Sequence, residues 1–319
     1  GQIRALICLG GNPLMAWPDQ QKAFEAMQAL DLLVCIDPYM SATAEMADYV
    51  IAPKLTLERE DVTLLADSWY EKPYSQYSKA VVQTDRDVIE EWEFYWGLAK
   101  RLGIEVSIGG SVISNTEKPT KFDILKAITA GSRADLQYLR DNPGGHIFED
   151  MRVEIQPPRK ASSSKLKLFP VGVADEFEAL RQSEGTTDDY THQLISFRSR
   201  YVLNSFGRNL PALRDKSGTT NHANIHPADL DKLGIGEDEE IVIHSQYGSI
   251  PAVSKANDRI KPGVVAMHHC WGTSPGQQAP VREVGSNTNL LVDGNNALQG
   301  FTAMIPSSGI PINISVGNK

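Results

Sequence analysis

The stretch RALICLGGNPLMAW, residues 4–17, decides how the first half of the chain is read. Ala5, Leu6, Ile7 and Leu9, with Cys8 among them, form a short apolar run that stops at Gly10-Gly11, the mark of a buried strand ending abruptly. The next segment, WPDQQKAFEAMQAL, puts Phe24, Met27 and Leu30 on one helical face, with Asp19 and Glu25 toward its start. The glycines therefore belong to a strand-to-helix turn. Backbone N–H groups there, at the positive end of a helix and free of side chains, suit the close approach of a phosphate.

Working outward, DLLVCID reads as a second buried strand ending at Asp37. PYMSATAEMADYVIAP reads as a short helix feeding a third strand near Tyr49 to Ala52. Alternating strands and helices predict a parallel sheet covered by helices. Asp37 lies somewhat farther from Gly10 than the ~20 residues at which an acid meets a ribose in dinucleotide folds, and GGNP is not GxGxxG. A turn residue ahead of Pro38 is the competing reading. RDVIEEWEFYWGLAKRLG reads as an amphipathic helix ending at Gly103, with Trp92, Tyr95, Trp96 and Leu98 as core. PPRKASSSK, residues 157–165, has the composition of an exposed linker.

The second half changes character. QLISFRS, EEIVIHSQ, IPAVSKA, GVVAMHH and PINISV are short, rich in Val and Ile, and separated by turn residues. One helix, HPADLDKLG, has Pro227 in its first turn and Gly234 as its stop. Tyr247-Gly248 between two strands predicts a tight hairpin. The expectation is a mostly β domain closed into a barrel.

The chain has 319 residues, 41% of them hydrophobic, enough for two domains. No apolar run approaches the ~20 residues needed to span a bilayer, and no signal peptide is evident, so a cytoplasmic location is expected, with the periplasm as the alternative. A net charge of −9 without basic clusters argues against nucleic acid as a partner. The three cysteines, Cys8, Cys35 and Cys270, form no disulfide framework or CxxC site. Cys8 and Cys35 read as inert core. His268, His269 and Cys270 are metal-capable in type, but neighbours on a strand point to opposite faces, so no metal site is expected.

Taken together, LGGNP, DLLVCID and TAEMADYVIAP resemble the guanosine-binding part of the molybdenum and tungsten enzymes that use molybdopterin guanine dinucleotide, the dimethyl sulfoxide reductase and formate dehydrogenase superfamily. LISFRSRYVLNS, NIHPADLDKLGIGEDEEIVIHSQYGSI, DRIKPGVVAMHHCWG and SNTNLL are similar, in the same order, to its C-terminal dinucleotide-binding barrel. The implied fold class is α/β: a Rossmann-like parallel-sheet domain over 1–160, a linker over 161–189, and a mostly β barrel of double-psi type over 190–319. Coverage is weakest from about 105 to 185.

The resemblance implies that Gly10, Gly11, Asn12 and Asp37 meet the guanine nucleotide half. Arg198, Asn204 and Ser205 then reach the pterin and its pyrophosphate, as suits the planar donor fork of Arg. Otherwise Arg198 is a surface residue paired with a carboxylate. Asn287, Thr288 and Asn289 match a late Asn-rich loop on the pterin edges, although a polar turn has the same composition. His268 falls near the cofactor end of the barrel, where an imidazole could hydrogen-bond a pterin. Catalytic residues are not identified.

Family members begin with a region that often holds an iron–sulfur cluster through several cysteines, and a Cys, selenocysteine, Ser or Asp that ligates the metal. Neither motif occurs here. The expectation is the C-terminal portion of a larger catalytic subunit, a fragment or a split subunit, binding no iron–sulfur cluster and inactive alone. Its partners would be the N-terminal part, on the same chain or another, and an electron-transfer subunit. LEREDVTLLADSWYEKPYSQY also departs from the Glu-x-x-Gly-Thr pattern of formate dehydrogenases. The alternative is a non-catalytic nucleotide- or pterin-binding accessory module.

Asp37 gives the first prediction. Asp37→Ala should weaken cofactor retention by roughly 1.5–3 kcal/mol, the worth of hydrogen bonds to a charged acceptor, and Asp37→Asn by less. Unchanged cofactor occupancy in both variants would leave Asp37 a turn residue only.

Overall fold

A computed structural model describes residues 1–64, 69–152, 165, 167–182, 189–294 and 302–317. The chain forms two compact units that are not consecutive blocks. One holds Gly1–Cys35, Met40–Tyr49 and Leu166–Lys319; the other holds Ile36–Tyr39 and Val50–Lys165. The opening strands and the barrel thus share one unit.

The N-terminal strands are β1 (Ala5–Leu9), β2 (Leu32–Ile36) and β3 (Tyr49–Ile51), in sheet order β1-β2-β3 and parallel. The single helix expected after the glycines is two. A one-turn α1 (Pro13–Ala16) follows Asn12, and α2 (Gln20–Gln28) starts after a break at Trp17-Pro18. Asp19, left-handed at φ 55°, caps α2 by accepting from the Lys22 N–H. The long helix that was to aim its dipole at the glycine turn therefore begins elsewhere, and the Leu14 N–H is already bonded to the Thr43 hydroxyl at 3.1 Å. Cys8, Leu14, Met15, Met27, Leu33, Cys35 and Cys270 share one apolar cluster. Cys8 and Cys35 are buried there, as the sequence suggested.

In the other unit α3 (Glu91–Leu102) starts with a capping box from Glu90 and Glu93 and ends on Gly103 at φ 66°. None of its residues is fully buried, which corrects the reading of its aromatic face as core. Trp92 and Trp96 pack half-buried against Ile113, Ile124 and Ala127, and Tyr95 is exposed. The indole N–H groups explain this, since they bond the Glu90 carboxylate (3.0 Å) and the Ser114 carbonyl (2.7 Å) near the surface. The hairpin Val106–Ile108 with Ser111–Ile113 and α4 (Lys121–Ile128) complete that core, while α5 (Leu136–Asp141) packs Leu136 and Leu139 into a second cluster with Val62, Tyr77 and Leu125.

Residues 161–164, 166 and 183–188 of the expected linker, with 157–160 before it, lie outside the described residues, and its middle holds a helix, α6 (Val173–Gln182), where a linker was expected. Val173, Phe177 and Leu180 recur at helical spacing there, and Glu178 pairs with Arg181.

The barrel is closed and six-stranded. Its strands are β4 (His192–Phe197), β5 (Ala223–Ile225), β6 (Glu240–His244), β7 (Ser249–Ala256), β8 (Val264–His268) and β9 (Ile310–Val316), in the order β4-β8-β5-β7-β6-β9. β4 runs parallel to β8 and β5 to β7, while β6 and β7 form the expected hairpin. Between β5 and β6, α7 (Pro227–Leu233) ends on Gly234 at φ 66°. Strand alternation sends Ile241 and Ile243 inward with Ile225, Ile250, Met267 and Ile312, all at most 1% exposed. Each such side chain contributes roughly 1.5–3 kcal/mol by burial.

A buried amide locks the barrel's end. Asn221 donates to the carbonyls of His268 (2.7 Å) and Ser286 (2.9 Å) and accepts from the Ser286 N–H (2.8 Å). Asn221→Ala would strand three backbone groups that water does not reach, and should lower unfolding free energy by about 3–4 kcal/mol. Urea denaturation would check this, and a loss under about 1 kcal/mol would contradict the locking role.

Candidate functional site

Four of the predicted site residues, Asn12, Arg198, Asn204 and Ser205, come together at one tight turn. Leu203 and Phe206 exchange backbone hydrogen bonds of 3.0 and 2.8 Å, leaving Asn204-Ser205 at the tip. Asn204 sits at φ 54°, a left-handed conformation that Asn adopts more readily than most residues. Gly207, at φ 98°, closes the turn where a Cβ would stand 2.9 Å from the Tyr201 carbonyl oxygen.

Three chain segments converge on this tip. From the end of β4, the Arg198 Nη1 group donates to Asn204 Oδ1 at 2.7 Å. From just past β8, His269 Nε2 donates to the same oxygen at 3.1 Å, which places the imidazole proton on Nε2. From the end of β1, Asn12 Nδ2 donates to Ser205 Oγ at 3.2 Å. Asn12 is held in turn by Thr43, whose hydroxyl and N–H both donate to Asn12 Oδ1 at 2.9 and 3.3 Å. Beside Asn12, Gly10 is exposed at φ 59°, and nothing lies within 4 Å of where its Cβ would stand. Gly11 accepts from the Cys8 thiol.

His268 and His269 depart from the alternation argument. β8 ends at His268, and the two rings stack nearly parallel, 7° apart with centroids at 4.9 Å. His268 Nδ1 lies between the Trp271 indole N–H (2.9 Å) and the His269 carbonyl (2.7 Å). Burial, followed by smaller effects that include the Arg198 charge, holds both imidazoles below their ordinary 6.5. Cys270, left-handed at φ 62°, packs into the cluster with Cys8 and Cys35. Its thiol is pushed up to about 11 by burial, so it stays protonated at neutral pH.

Two groups of predicted residues are placed differently. Asn287, Thr288 and Asn289 are only 2–5% exposed and lie on a buried turn, not an open rim. The Asn287 and Asn289 amides donate to the Met15 carbonyl (3.3 and 3.2 Å), and Asn289 also to that of Trp17 (2.9 Å). The uncapped carbonyls of α1 are the physical reason. Asp37 belongs to the other compact unit, where its carboxylate accepts from the Tyr39 N–H at 2.9 Å in an Asx turn. Sequence reading missed Thr43 and Arg208, and named His268 where His269 is the imidazole that reaches Asn204. Arg208 lies three residues past Ser205 and donates to the Gly272 carbonyl at 3.1 Å, with burial depressing its guanidinium pKa.

An open glycine turn, an exposed Arg and polar amides thus present N–H donors beside a closed barrel, chemistry that suits anionic, nucleotide-like groups. Similarity to known proteins identifies the family. Residues 193–306 match the molydopterin dinucleotide binding domain, and residues 1–101 match the molybdopterin oxidoreductase domain. The chain belongs to the molybdopterin oxidoreductase family, together with the dimethyl sulfoxide reductases and formate dehydrogenases. Acetylene hydratase of Syntrophotalea acetylenica is 34% identical over 318 residues, covering 90% of this chain and 39% of that protein. Formate dehydrogenase H of Escherichia coli is 24% identical over 277 residues, covering 85% and 37%. The solved acetylene hydratase from Pelobacter acetylenicus has the same fold, with a TM-score of 0.72 and 20% identity over 98% of this chain and 44% of that one. The chain thus spans about two fifths of these relatives. Among the described residues no helix is long and apolar enough to cross a membrane.

The histidines make acid stability a test of the site's burial. His192, His222, His268 and His269 are all lowered from 6.5, chiefly by burial. The unfolded chain therefore takes up protons first as pH falls, so stability is complete above about pH 6.5 and declines below it. The melting temperature should be flat from pH 8 to 7 and fall between 6.5 and 5, before carboxylates titrate. A constant melting temperature over pH 8–5 would refute this.

Proposed function

We propose that this chain is the cofactor-holding portion of a molybdenum or tungsten oxidoreductase catalytic subunit, with molybdopterin guanine dinucleotide as its ligand. The carrying observation is the convergence of Asn12, Arg198, Asn204, Ser205 and His269 on one turn, in a chain whose two ends match the family's two cofactor-binding domains. The donor chemistry of these residues fits the group, as does the open space above Gly10. Arg198, Asn204 and Ser205 would hold its charged portion, with Gly10, Gly11 and Asn12 alongside. The exposed faces of Leu203 and Phe206 offer apolar surface for a flat ring. When bound, the cofactor's metal supplies two-electron or oxygen-atom transfer, and the protein supplies binding and orientation. His269, neutral and fixed by Asn204, keeps a second charge away from Arg198. The N-terminal part of the subunit and an electron-transfer subunit are the proposed partners.

A second reading, water addition in place of redox transfer, is favoured by the 34% identity to a protein named acetylene hydratase, against 24% to formate dehydrogenase H. Both readings use the same cofactor.

Metal analysis and guanine release from the complete catalytic subunit test the proposal. About one Mo or W and one to two guanines per subunit are expected, falling at least several-fold in Arg198→Ala, in line with loss of a charge-assisted anchor. A subunit purified without metal, pterin or guanine would defeat the reading. Acetylene hydration without an electron acceptor, set against acceptor-dependent oxidation of formate, would separate the two chemistries.

A further inference from the structure

Asn12 occupies a helix-capping position without capping the helix. It directly precedes α1, and Asn is among the residues that most readily accept from the N–H groups of a helix's first turn. Pro13 has no N–H, and those of Met15 and Ala16 bond the Asn12 carbonyl at 3.0 Å each, so the Leu14 N–H is the donor left for a cap. No side-chain bond runs from Asn12 to α1. The Leu14 N–H goes instead to the hydroxyl of Thr43, 29 residues further along the chain, at 3.1 Å. That hydroxyl in turn donates to Asn12 Oδ1 at 2.9 Å, and the Thr43 backbone N–H donates to the same oxygen at 3.3 Å. A backbone N–H cannot accept, so the carbonyl end of the Asn12 amide must face Thr43 and its Nδ2 group must face away. There it meets Ser205 Oγ at 3.2 Å.

From this exchange of partners we infer that Thr43 is a positioning residue for the glycine turn: by capping α1 in place of Asn12, it keeps the Asn12 amide turned toward Ser205 and the ligand. The ligand half of this rests on the cofactor reading above, whereas the cap exchange is a property of the chain itself. Asn12 has two alternative tasks, to cap its own helix or to bridge to Ser205, and it cannot do both with one carboxamide. The Thr43 hydroxyl decides between them. It is fully buried, so water cannot replace it. If it were removed, the Leu14 N–H would lose its acceptor and Asn12 Oδ1 would lose a donor. Asn12 already stands at the position from which Asn supplies that missing bond, so turning inward satisfies both groups at once and abandons Ser205.

Thr43→Val, close in shape but without the hydroxyl, and Thr43→Ser, which keeps it, test this in the complete catalytic subunit. In crystal structures of the cofactor-free subunit, Asn12 Oδ1 should lie within hydrogen-bond distance of the Leu14 N–H in Thr43→Val, with the bond to Ser205 broken. In Thr43→Ser it should not move. The melting temperature should fall only a few degrees in Thr43→Val, because Asn12 takes over the cap, and further in Thr43→Val/Asn12→Ala, which has none. The rate at which the subunit loses guanine cofactor on dialysis should rise about two- to tenfold in Thr43→Val, as for one lost hydrogen bond, and stay at the wild-type value in Thr43→Ser. Because Thr43 acts through Asn12, the double variant should lose cofactor no faster than Asn12→Ala alone. Asn12 unmoved in Thr43→Val, unchanged cofactor loss in that variant, or effects of the two substitutions that multiply would each overturn the inference. A wild-type subunit without guanine would defeat the proposed function instead, and the cap exchange would then stand or fall on the crystal structures and melting temperatures.

Discussion

The amide clamp on α1 is the interaction on which the rest of the first compact unit depends. α1 is a single turn, far below the length at which a helix persists in water. The carbonyl of the fully buried Met15, and that of Trp17 just past the helix, accept from the Asn287 and Asn289 side chains. Without those donors, buried backbone acceptors would go unpaired, each costing about 1–3 kcal/mol. The clamp ties the Gly10–Asn12 turn to a segment more than 270 residues later, and Gln20 adds a bond to the Thr273 carbonyl. Only with that registration can Asn12 reach Ser205.

This arrangement explains the grouping of the first 35 residues with the barrel. Cys8 of β1, Met15 of α1, Met27 of α2 and Leu33 of β2 pack into one cluster, and Cys270 from the barrel's end completes it. A sequence pattern of strand, helix, strand suggests a self-contained sheet domain, since local periodicity reports which face is apolar and not what will cover it. The cover here is supplied from the far end of the chain.

Legibility in the sequence followed the same division. Strand composition and the stops at Gly103 and Gly234 marked the barrel strands and two helices closely, because these depend on neighbours in sequence. The single helix after Asn12 was misread because Pro18 and the left-handed Asp19 break it, whereas its apolar spacing runs on. At the site, Arg198, Asn204 and Ser205 were legible as polar residues after a strand. The roles of Asn287 and Asn289 were not, because an amide that caps a distant carbonyl and one that meets a ligand have identical composition. Thr43 and Arg208 escaped notice because their importance lies in contacts with Asn12 and Gly272, which no local pattern encodes.

The chemistry of the rim also bears on why proteins with different names share this frame. In a chain of net charge −9, Arg198 and Arg208 both act on the same cysteine, and burial holds the adjacent histidines below their ordinary pKa. Under the proposed function such a site would recognise charge and hydrogen-bond sense, both properties of a cofactor's anionic portion and neither a property of the reacting substrate. A binding frame of this kind is compatible with any reaction performed at the cofactor's other end. That is the physical sense in which one chain can resemble a hydratase at 34% identity and a formate dehydrogenase at 24%. Under the proposed function, residues that choose between those reactions lie outside the rim, and selection on the rim acts through retention of the cofactor.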